Sequence, residues 1–154
     1  MILIRPATAA DVPAMSETLI ASITRLCSLD HKDDPAAVAA WTANKTPAGV
    51  AAMPDAPANR MFVAEYAGAV AAVGCVVGAD EIGLNYVHPA HRFKGASRAL
   101  LAGMEAWMRE GGATAGRLRS TATAHQFYLA AGWTDLGSPH AGRLIDAWPM
   151  RKAL

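Results

Sequence analysis

The chain has 154 residues, of which 81 are hydrophobic, and 35 of those 81 are alanines. The other 46 apolar residues are enough for one core, so the length predicts a single domain over residues 1–154. Fourteen basic and thirteen acidic residues give a net charge of +1, which excludes the broad electrostatic footprint of a general nucleic-acid binder.

The first elements in chain order are a strand and a helix. Residues 2–5 alternate as a short strand that ends at Pro6. Thr8, followed three residues later by Asp11, has the pattern of a helix N-cap. Apolar residues then recur at helical spacing over residues 12–26, which predicts a helix of about five turns.

Shorter elements follow this helix. Residues 28–34 are polar and predict a break, and Asp34 with Pro35 predicts the start of a second helix that reaches Lys45. Thr46 with Pro47 predicts one more turn of helix. Residues 53–59 contain two prolines and predict a loop.

The middle of the chain has the pattern of an antiparallel meander. Residues 61–66 and 69–77 predict the two strands of a hairpin, because the Ala-Gly pair between them is a turn signal. A second turn then leads to a strand over residues 81–87, which stops before Pro89.

The last third changes to helical periodicity. Residues 97–110 predict a helix that ends at a Gly-Gly pair. A short strand is predicted around Leu118, a helix over residues 123–131, and a final strand pair over 133–136 and 144–148. This order predicts an α+β fold with one mixed sheet.

The cysteines and the apolar runs bear on the cellular location of the protein. Cys27 and Cys75 are far apart in apolar surroundings, so we expect two reduced thiols rather than a disulfide. No signal peptide is expected at the N-terminus. The central charge-free run, residues 66–79, is shorter than the ~18 residues of a membrane span. We therefore expect a cytoplasmic protein without a membrane partner.

The segment from Tyr86 to Ser97 carries the clearest chemical signal. It is a strand end, a loop and a helix start, with small residues at positions 95–97 that allow a ligand to approach the backbone. The first amides of a helix lack intrahelical partners and attract anions. Arg92 and Lys94 add positive charge, and no acidic residue lies between Glu81 and Glu105. The segment predicts a phosphate or pyrophosphate site; the alternative is an ordinary loop whose basic residues face water.

Two motifs resemble those of the Gcn5-related N-acetyltransferase (GNAT) superfamily. The sequence Arg92-Phe93-Lys94-Gly95-Ala96-Ser97 resembles the family's acyl-CoA loop, Arg/Gln-x-x-Gly-x-Gly/Ala, with Ser97 at the last position and Phe93 where Gly is frequent. The second motif, over residues 121–133, resembles Asn-x-x-Ala-x-x-Phe/Leu-Tyr-x-x-x-Gly-Phe/Trp, with Thr121 in place of Asn.

The resemblance implies the GNAT acyl-CoA N-acyltransferase fold, a single mixed, mostly antiparallel sheet flanked by helices. It implies acetyl-CoA as co-substrate, lying between splayed strands at residues 81–87 and around Leu118, with no metal. A free backbone N–H near residues 86–87 is expected to bind the oxyanion. The implied cofactor-binding residues are Tyr86, Val87, Arg92, Phe93, Lys94, Gly95, Ala96, Ser97, Thr121 and Phe127.

Two residues receive catalytic roles from the resemblance. Tyr128 matches the family's tyrosine that faces the sulfur and protonates the leaving thiolate; the alternative is an aromatic packing residue. Glu81 matches the place where some members keep a general base, although a solvated turn carboxylate is the simpler interpretation. From Glu81 to Asn85 is ~13 Å along a strand, so such a base would need a water relay. Glu65 is a weaker rival.

The acceptor side of the site is less defined. The resemblance implies that the segment between the first two helices shapes this pocket. The predicted substrate-binding residues are His31, Trp41, Asn44 and Tyr66. The cluster at residues 31–34 also suggests metal ligands, but no second His or Cys follows at ligand spacing, so no metal is expected.

The sequence therefore predicts an acetyl-CoA-dependent N-acetyltransferase acting on a primary amine of a small molecule or peptide. The alternative is a non-catalytic acyl-CoA-binding or regulatory module with the same fold. A nucleotide-binding P-loop is excluded because the chain has no Gly-x-x-x-x-Gly-Lys-Ser/Thr. GNAT domains of this size are often homodimers, and nothing in the sequence identifies the amine.

Overall fold

The computed structural model describes residues 1–154. The strands are β1 (Ile2–Pro6), β2 (Asn59–Tyr66), β3 (Ala69–Val77), β4 (Glu81–Val87), β5 (Ala115–Ser120), β6 (Thr134–Asp135), β7 (His140–Ala141) and β8 (Asp146–Ala153). The helices are α1 (Val12–Leu26), α2 (Ser28–His31), α3 (Pro35–Thr42), α4 (Pro47–Ala52), α5 (Ala96–Glu110) and α6 (His125–Ala130). None of these helices is both long and apolar enough to cross a bilayer.

The strands form one sheet in the order β1-β2-β3-β4-β5-β8-β6, with β7 paired to β8. Every neighbouring pair is antiparallel except β4 and β5, which run parallel. The α+β prediction of a single mixed, mostly antiparallel sheet flanked by helices is therefore confirmed.

Each face of the sheet carries its own core. Helix α5 packs on one face through Leu100, Met104 and Met108, which are fully buried. Helix α1 packs on the other face through Met15 and Leu19. Successive strand residues point to opposite faces, so one strand supplies side chains to both cores.

A bulge in β4 lies beside the point where β4 and β5 separate. Val76 pairs with Ile82 and Cys75 pairs with Leu84, so Gly83 has no partner on β3. The extra residue sends Ile82 into the core beneath α5 and Leu84 into the core beneath α1. Strands β4 and β5 stay paired only at two positions and then separate.

Four element boundaries differ from the sequence predictions. Residues 28–34 are not a simple break, because Ser28–His31 form α2, whose last two N–H groups bond the carbonyl of Cys27. Helix α3 ends at Thr42 instead of reaching Lys45, and the Thr42 hydroxyl turns back to the carbonyl of Val38.

The last strand is longer than predicted. Strand β8 runs to Ala153 because it pairs along the whole of β5, from Ala115↔Ala153 to Ser120↔Trp148. Of the predicted strand over residues 133–136, Thr134 and Asp135 form β6, and the Leu136 N–H donates to the Pro149 carbonyl of β8 at 2.8 Å. The sheet therefore continues beyond the gap between β4 and β5 and supports its far wall.

Candidate functional site

A cavity of about 240 Å³ lies between the separated ends of β4 and β5. Strand β4 forms its floor with residues 82–87, and the end of α1 forms one wall. The opposite wall comes from β5, α6 and the turn between them. The residues from these walls and from the loop before α5 are Ser22, Leu26, Cys27, Arg92, Ser97, Arg119, Thr121, Thr123, Ala124, Phe127 and Tyr128.

The structure brings six of the ten predicted cofactor-binding residues together with Tyr128 in this cavity. Tyr86, Val87, Arg92, Ser97, Thr121, Phe127 and Tyr128 all line it. These residues come from four segments that are distant in the sequence. The grouping supports one site formed by the two motifs.

The loop before α5 has the geometry of an anion site. Gly95 is the N-cap of α5 and adopts a φ of +84°, which favours glycine. The first intrahelical bond runs from the Ala99 N–H to the Gly95 carbonyl, 3.0 Å. The amides of residues 96–98 precede this bond and have no partner within the helix. Arg92 and Lys94 are exposed beside them.

Phe93 occupies a strained position in the same loop. Its φ is +62°, in the left-handed region where a side chain costs about 1–2 kcal/mol. Its ring is 91% exposed, and the Arg92 guanidinium lies 4.6 Å from the ring centroid. The loop therefore keeps a backbone shape suited to glycine, although Phe stands there.

The free edge of β4 points backbone donors into the cavity. The His88 N–H donates to the Ala71 carbonyl on β3, 2.8 Å. In an antiparallel ladder, alternate residues turn their N–H groups to opposite edges. The N–H groups of Asn85 and Val87 therefore face away from β3, toward the gap. A donor at this place suits an oxyanion.

Tyr128 is held by aromatic neighbours in the cavity wall. Its ring meets Phe127 edge to face at 5.2 Å and Trp133 at 6.1 Å. Burial raises the pKa of the Tyr128 hydroxyl above its ordinary value near 10, while the side chain of Asn85 opposes that rise. The hydroxyl is therefore protonated at neutral pH and can donate a proton.

Two more ionisable groups line the cavity and also stay protonated. Burial raises the pKa of Tyr86, against a smaller opposite effect of the Trp41 side chain. Burial likewise raises the pKa of the Cys27 thiol to about 12. Neither group is a nucleophile at neutral pH, because the reactive form of each is the deprotonated one.

Asp30, which no sequence motif marks, joins the two walls of the cavity. Its carboxylate accepts from the Ala122 N–H at 2.7 Å, the Thr123 N–H at 3.2 Å and the Thr123 hydroxyl at 2.6 Å. The Thr121 hydroxyl in turn accepts from the Ala124 N–H, 3.0 Å. These bonds fix the turn before α6, a helix of six residues that is too short to be stable alone.

We expect Asp30→Ala to lower the free energy of unfolding by about 2–3 kcal/mol, because the variant loses hydrogen bonds to a charged group. Urea unfolding would measure this change. Asp33→Ala is the matched control, since the Asp33 side chain is exposed and its carboxylate accepts one hydrogen bond, from the nearby Ser28 hydroxyl at 2.9 Å. Equal, small losses in both variants would contradict the role given to Asp30.

The structure does not bring Glu81 to the cavity. Its carboxylate lies 3.2 Å from the Arg117 guanidinium and 3.9 Å from that of Arg119. It sits where β4 and β5 are still paired, at the closed end of the gap. Glu65 is also occupied, since it accepts from Arg5 on the far side of the sheet. The two carboxylates expected as base candidates thus serve ion pairs.

The predicted acceptor residues are also elsewhere. His31 is buried; its Nδ1 accepts from the Asp33 N–H at 3.1 Å, so its Nε2–H donates to the Ile23 carbonyl at 2.8 Å. Trp41 is buried against His31, behind the cavity. Both rings therefore support the fold rather than line the site.

Asn44 and Tyr66 lie outside the cavity as well. The Asn44 side chain is exposed and accepts from the Lys45 ammonium, 2.7 Å. Tyr66 packs edge to face against His91, and the Lys94 ammonium lies 5.9 Å from its ring centroid. Tyr66 thus borders the loop before α5. One wall of the cavity comes instead from the end of α1, a helix that has no motif.

Known proteins with this architecture identify the family. Residues 27–154 match the family model of the acetyltransferase (GNAT) domain. The GCN5-related N-acetyltransferase from Rhodopseudomonas palustris superimposes with a TM-score of 0.88 and 21% identity, covering 99% of this chain and 95% of that one. No curated protein matches the sequence significantly.

Two further solved structures agree in fold. The PaiA N-acetyltransferase from Thermoplasma acidophilum, solved with coenzyme A, has a TM-score of 0.82 and 15% identity over 100% of this chain and 99% of that one. The ribosomal-protein-alanine N-acetyltransferase from Brucella melitensis has a TM-score of 0.68 and 22% identity, covering 99% of each chain. The chain belongs to the GNAT acetyltransferase family.

Proposed function

We propose that the protein is an acetyl-CoA-dependent N-acetyltransferase that acetylates a primary amine of a small molecule or peptide. The observation that carries the proposal is the cavity between β4 and β5. A protonated tyrosine, outward-facing strand amides and a basic helix start meet there. We also propose that residues 1–154 act as one domain, because β1 and β8, near the two ends, belong to one sheet.

The donor lies along the gap in this proposal. Its pyrophosphate binds the first amides of α5 beside Arg92 and Lys94, where the helix dipole favours negative charge. Its pantetheine arm follows the free edge of β4 past Val87 toward Asn85. Thr121 and Phe127 border the same path. The neighbour from Thermoplasma acidophilum, solved with coenzyme A, supports this class of ligand.

Transfer proceeds by direct attack. The lone pair of a neutral amine forms the C–N bond, and the carbonyl oxygen becomes an oxyanion that a β4 backbone N–H stabilises. The C–S bond then breaks, and the leaving thiolate takes the proton of the Tyr128 hydroxyl. The surplus proton of the nitrogen passes to water, and Tyr128 regains its proton from water. The products are the N-acetyl amide and free coenzyme A.

The acceptor must lose its proton before it attacks. A lysine-like amine has a pKa of about 10.4 and an α-amine about 7.7–8.0, so the neutral fraction at pH 7 is far larger for the α-amine. We assign no general base, since Glu81 is held by two arginines. Transfer is therefore expected to accelerate with pH until the acceptor amine is neutral.

Release of free coenzyme A from acetyl-CoA, measured with a panel of amines, tests this function. The panel contains a polyamine, free amino acids, a peptide with an unblocked N-terminus and an aminoglycoside. We expect at least one amine to raise coenzyme A release by tenfold or more over acetyl-CoA alone. Tight acetyl-CoA binding without turnover on any amine would instead support the non-catalytic module.

A further inference from the structure

The side chain of Asn85 is an unusual feature of the cavity. Its amide nitrogen and amide oxygen are both buried, and neither has a hydrogen-bond partner. The Trp133 indole nitrogen is the one other buried side-chain polar atom in this condition. An unpaired buried polar group costs about 1–3 kcal/mol, so such groups are rare in native proteins unless a ligand completes them.

The position of Asn85 in β4 directs its amide to the reactive end of the gap. Leu84 and Tyr86 join the core beneath α1, so the residue between them points to the opposite face, where Tyr128 is buried. Its partner on β3 is Gly74, and the α5 side chains of Met104 and Leu100 pack against this glycine. Asn85 also lines the cavity. Its amide therefore lies between Tyr128 and the space that a ligand would fill.

The effect of Asn85 on the pKa of Tyr128 indicates which atom of the amide would bond the hydroxyl. The Asn85 side chain lowers the pKa of Tyr128, against the larger effect of burial. Only a hydrogen-bond donor stabilises the ionised form of a phenol, so the amide nitrogen is the atom that would bond the phenolic oxygen. That bond is not formed in the structure, and the amide oxygen also has no partner within the fold.

We propose that Asn85 is a positioning residue that joins Tyr128 to the bound acetyl donor, a role that rests on the proposed function. Its N–H group holds the phenolic oxygen, so the hydroxyl proton points toward the sulfur. Its carbonyl accepts an amide N–H of the pantetheine arm. After the thiolate takes the proton, the same N–H group stabilises the buried phenolate. The amide nitrogen and the amide oxygen of Asn85 thus both have hydrogen-bond partners when acetyl-CoA is bound.

A second asparagine shows what a structural amide looks like in this fold. The Asn59 side chain, at the start of β2, donates to the Met53 carbonyl at 2.9 Å. Its bond is complete without any ligand, and Asn59 does not line the cavity. Asn59 and Asn85 thus form a matched pair for experiment, one satisfied within the fold and the other not.

The test compares Asn85→Leu with Asn59→Leu, since Leu has nearly the shape of Asn. We expect Asn85→Leu to raise Tm, because the substitution removes the two unpaired amide atoms. The same variant should lower kcat at least tenfold and weaken the Kd for acetyl-CoA by about five- to tenfold, the loss of one hydrogen bond. Asn59→Leu should lower Tm and leave kcat and Kd unchanged.

The remaining outcomes also decide the question. A lower Tm for Asn85→Leu with unchanged kcat and Kd would overturn the proposal. If Asn85→Leu does not fold, Asn85→Ser keeps a hydroxyl donor in a smaller volume; an intermediate kcat supports the proposal and an unchanged kcat overturns it. If the wild type binds acetyl-CoA but acetylates no amine, the proposed function alone fails. The Tm of Asn85→Leu and its Kd for acetyl-CoA then still test the role of Asn85.

Discussion

Replacing Tyr128 with Phe should lower kcat by about 10²–10⁴-fold, the usual effect of losing a positioned general acid. The substitution removes one hydroxyl and leaves the ring. The edge-to-face contacts with Phe127 and Trp133 therefore persist. Steady-state release of coenzyme A, with the best amine from the panel, measures the change.

The binding of acetyl-CoA is the control for Tyr128→Phe. The hydroxyl acts only as the C–S bond breaks, so the Kd measured by calorimetry should stay within a few-fold of wild type. Losses of equal size in kcat and in affinity would make Tyr128 a binding residue and remove its role as proton donor. An unchanged kcat would leave it as a packing residue of α6.

The pH dependence of kcat/KM is a second test of Tyr128 as the general acid. Burial raises the pKa of Tyr128, so its hydroxyl stays protonated throughout the range from pH 7 to 9. The neutral fraction of the acceptor amine rises about tenfold per pH unit below its own pKa. We therefore expect kcat/KM to rise until the acceptor amine is neutral and then to stay level up to pH 9, without a fall from loss of the acid. A decline between pH 7 and 9 would contradict the proposed acid.

The sequence predicted those parts of the site that are contiguous in the chain. The loop over residues 92–97 and the helix that carries Phe127 and Tyr128 are short motifs, and local spacing places each of them. Asp30 and Asn85 gave no such signal. Asp30 acts across more than ninety residues, on the amides of Ala122 and Thr123. Asn85 becomes unusual only when the packing around it is known.

The predicted acceptor pocket shows where residue type misleads. The sequence pattern places His31 between the first two predicted helices and Trp41 on the second of them, and both are buried in the fold. The two ring nitrogens of His31 bond the backbone, one to the Ile23 carbonyl in α1 and the other to the Asp33 N–H just after α2. The cavity is lined instead by Ser22, Leu26 and Cys27 at the end of α1. Helical periodicity marks such residues as core.

The elements of the fold also divide into those that local sequence predicts and those that depend on distant parts of the chain. The helix over residues 12–26 and the hairpin of β2 and β3 were predictable from periodicity and turns, which are local properties. The full extent of β8 was not, because its length is set by pairing with β5 in the sheet interior. The bulge at Gly83 is equally non-local: it exists only as a mismatch between β3 and β4.

Gly95→Glu should abolish measurable binding of acetyl-CoA. A carboxylate about 4 Å from a phosphate charge costs about 4 kcal/mol near a protein surface, which is roughly a 10³-fold loss in affinity. Gly95 is the N-cap of α5, where the pyrophosphate is proposed to bind, in a stretch that has no acidic residue. Isothermal titration with acetyl-CoA at low salt measures the loss.

Two control variants separate charge from backbone strain. Gly95→Ala carries the cost of a side chain at a φ of +84° but no charge, so it should weaken binding far less. Gly112→Glu places the same carboxylate at a φ of +99°, in open space beyond the other end of α5. It should cost similar stability and leave acetyl-CoA affinity unchanged. Unchanged affinity in Gly95→Glu would refute the phosphate site. Equal losses of acetyl-CoA affinity in all three variants would show that the effect comes from destabilising the fold rather than from the charge. A partial recovery of Gly95→Glu at high salt is expected as well, because ions screen the repulsion between exposed charges.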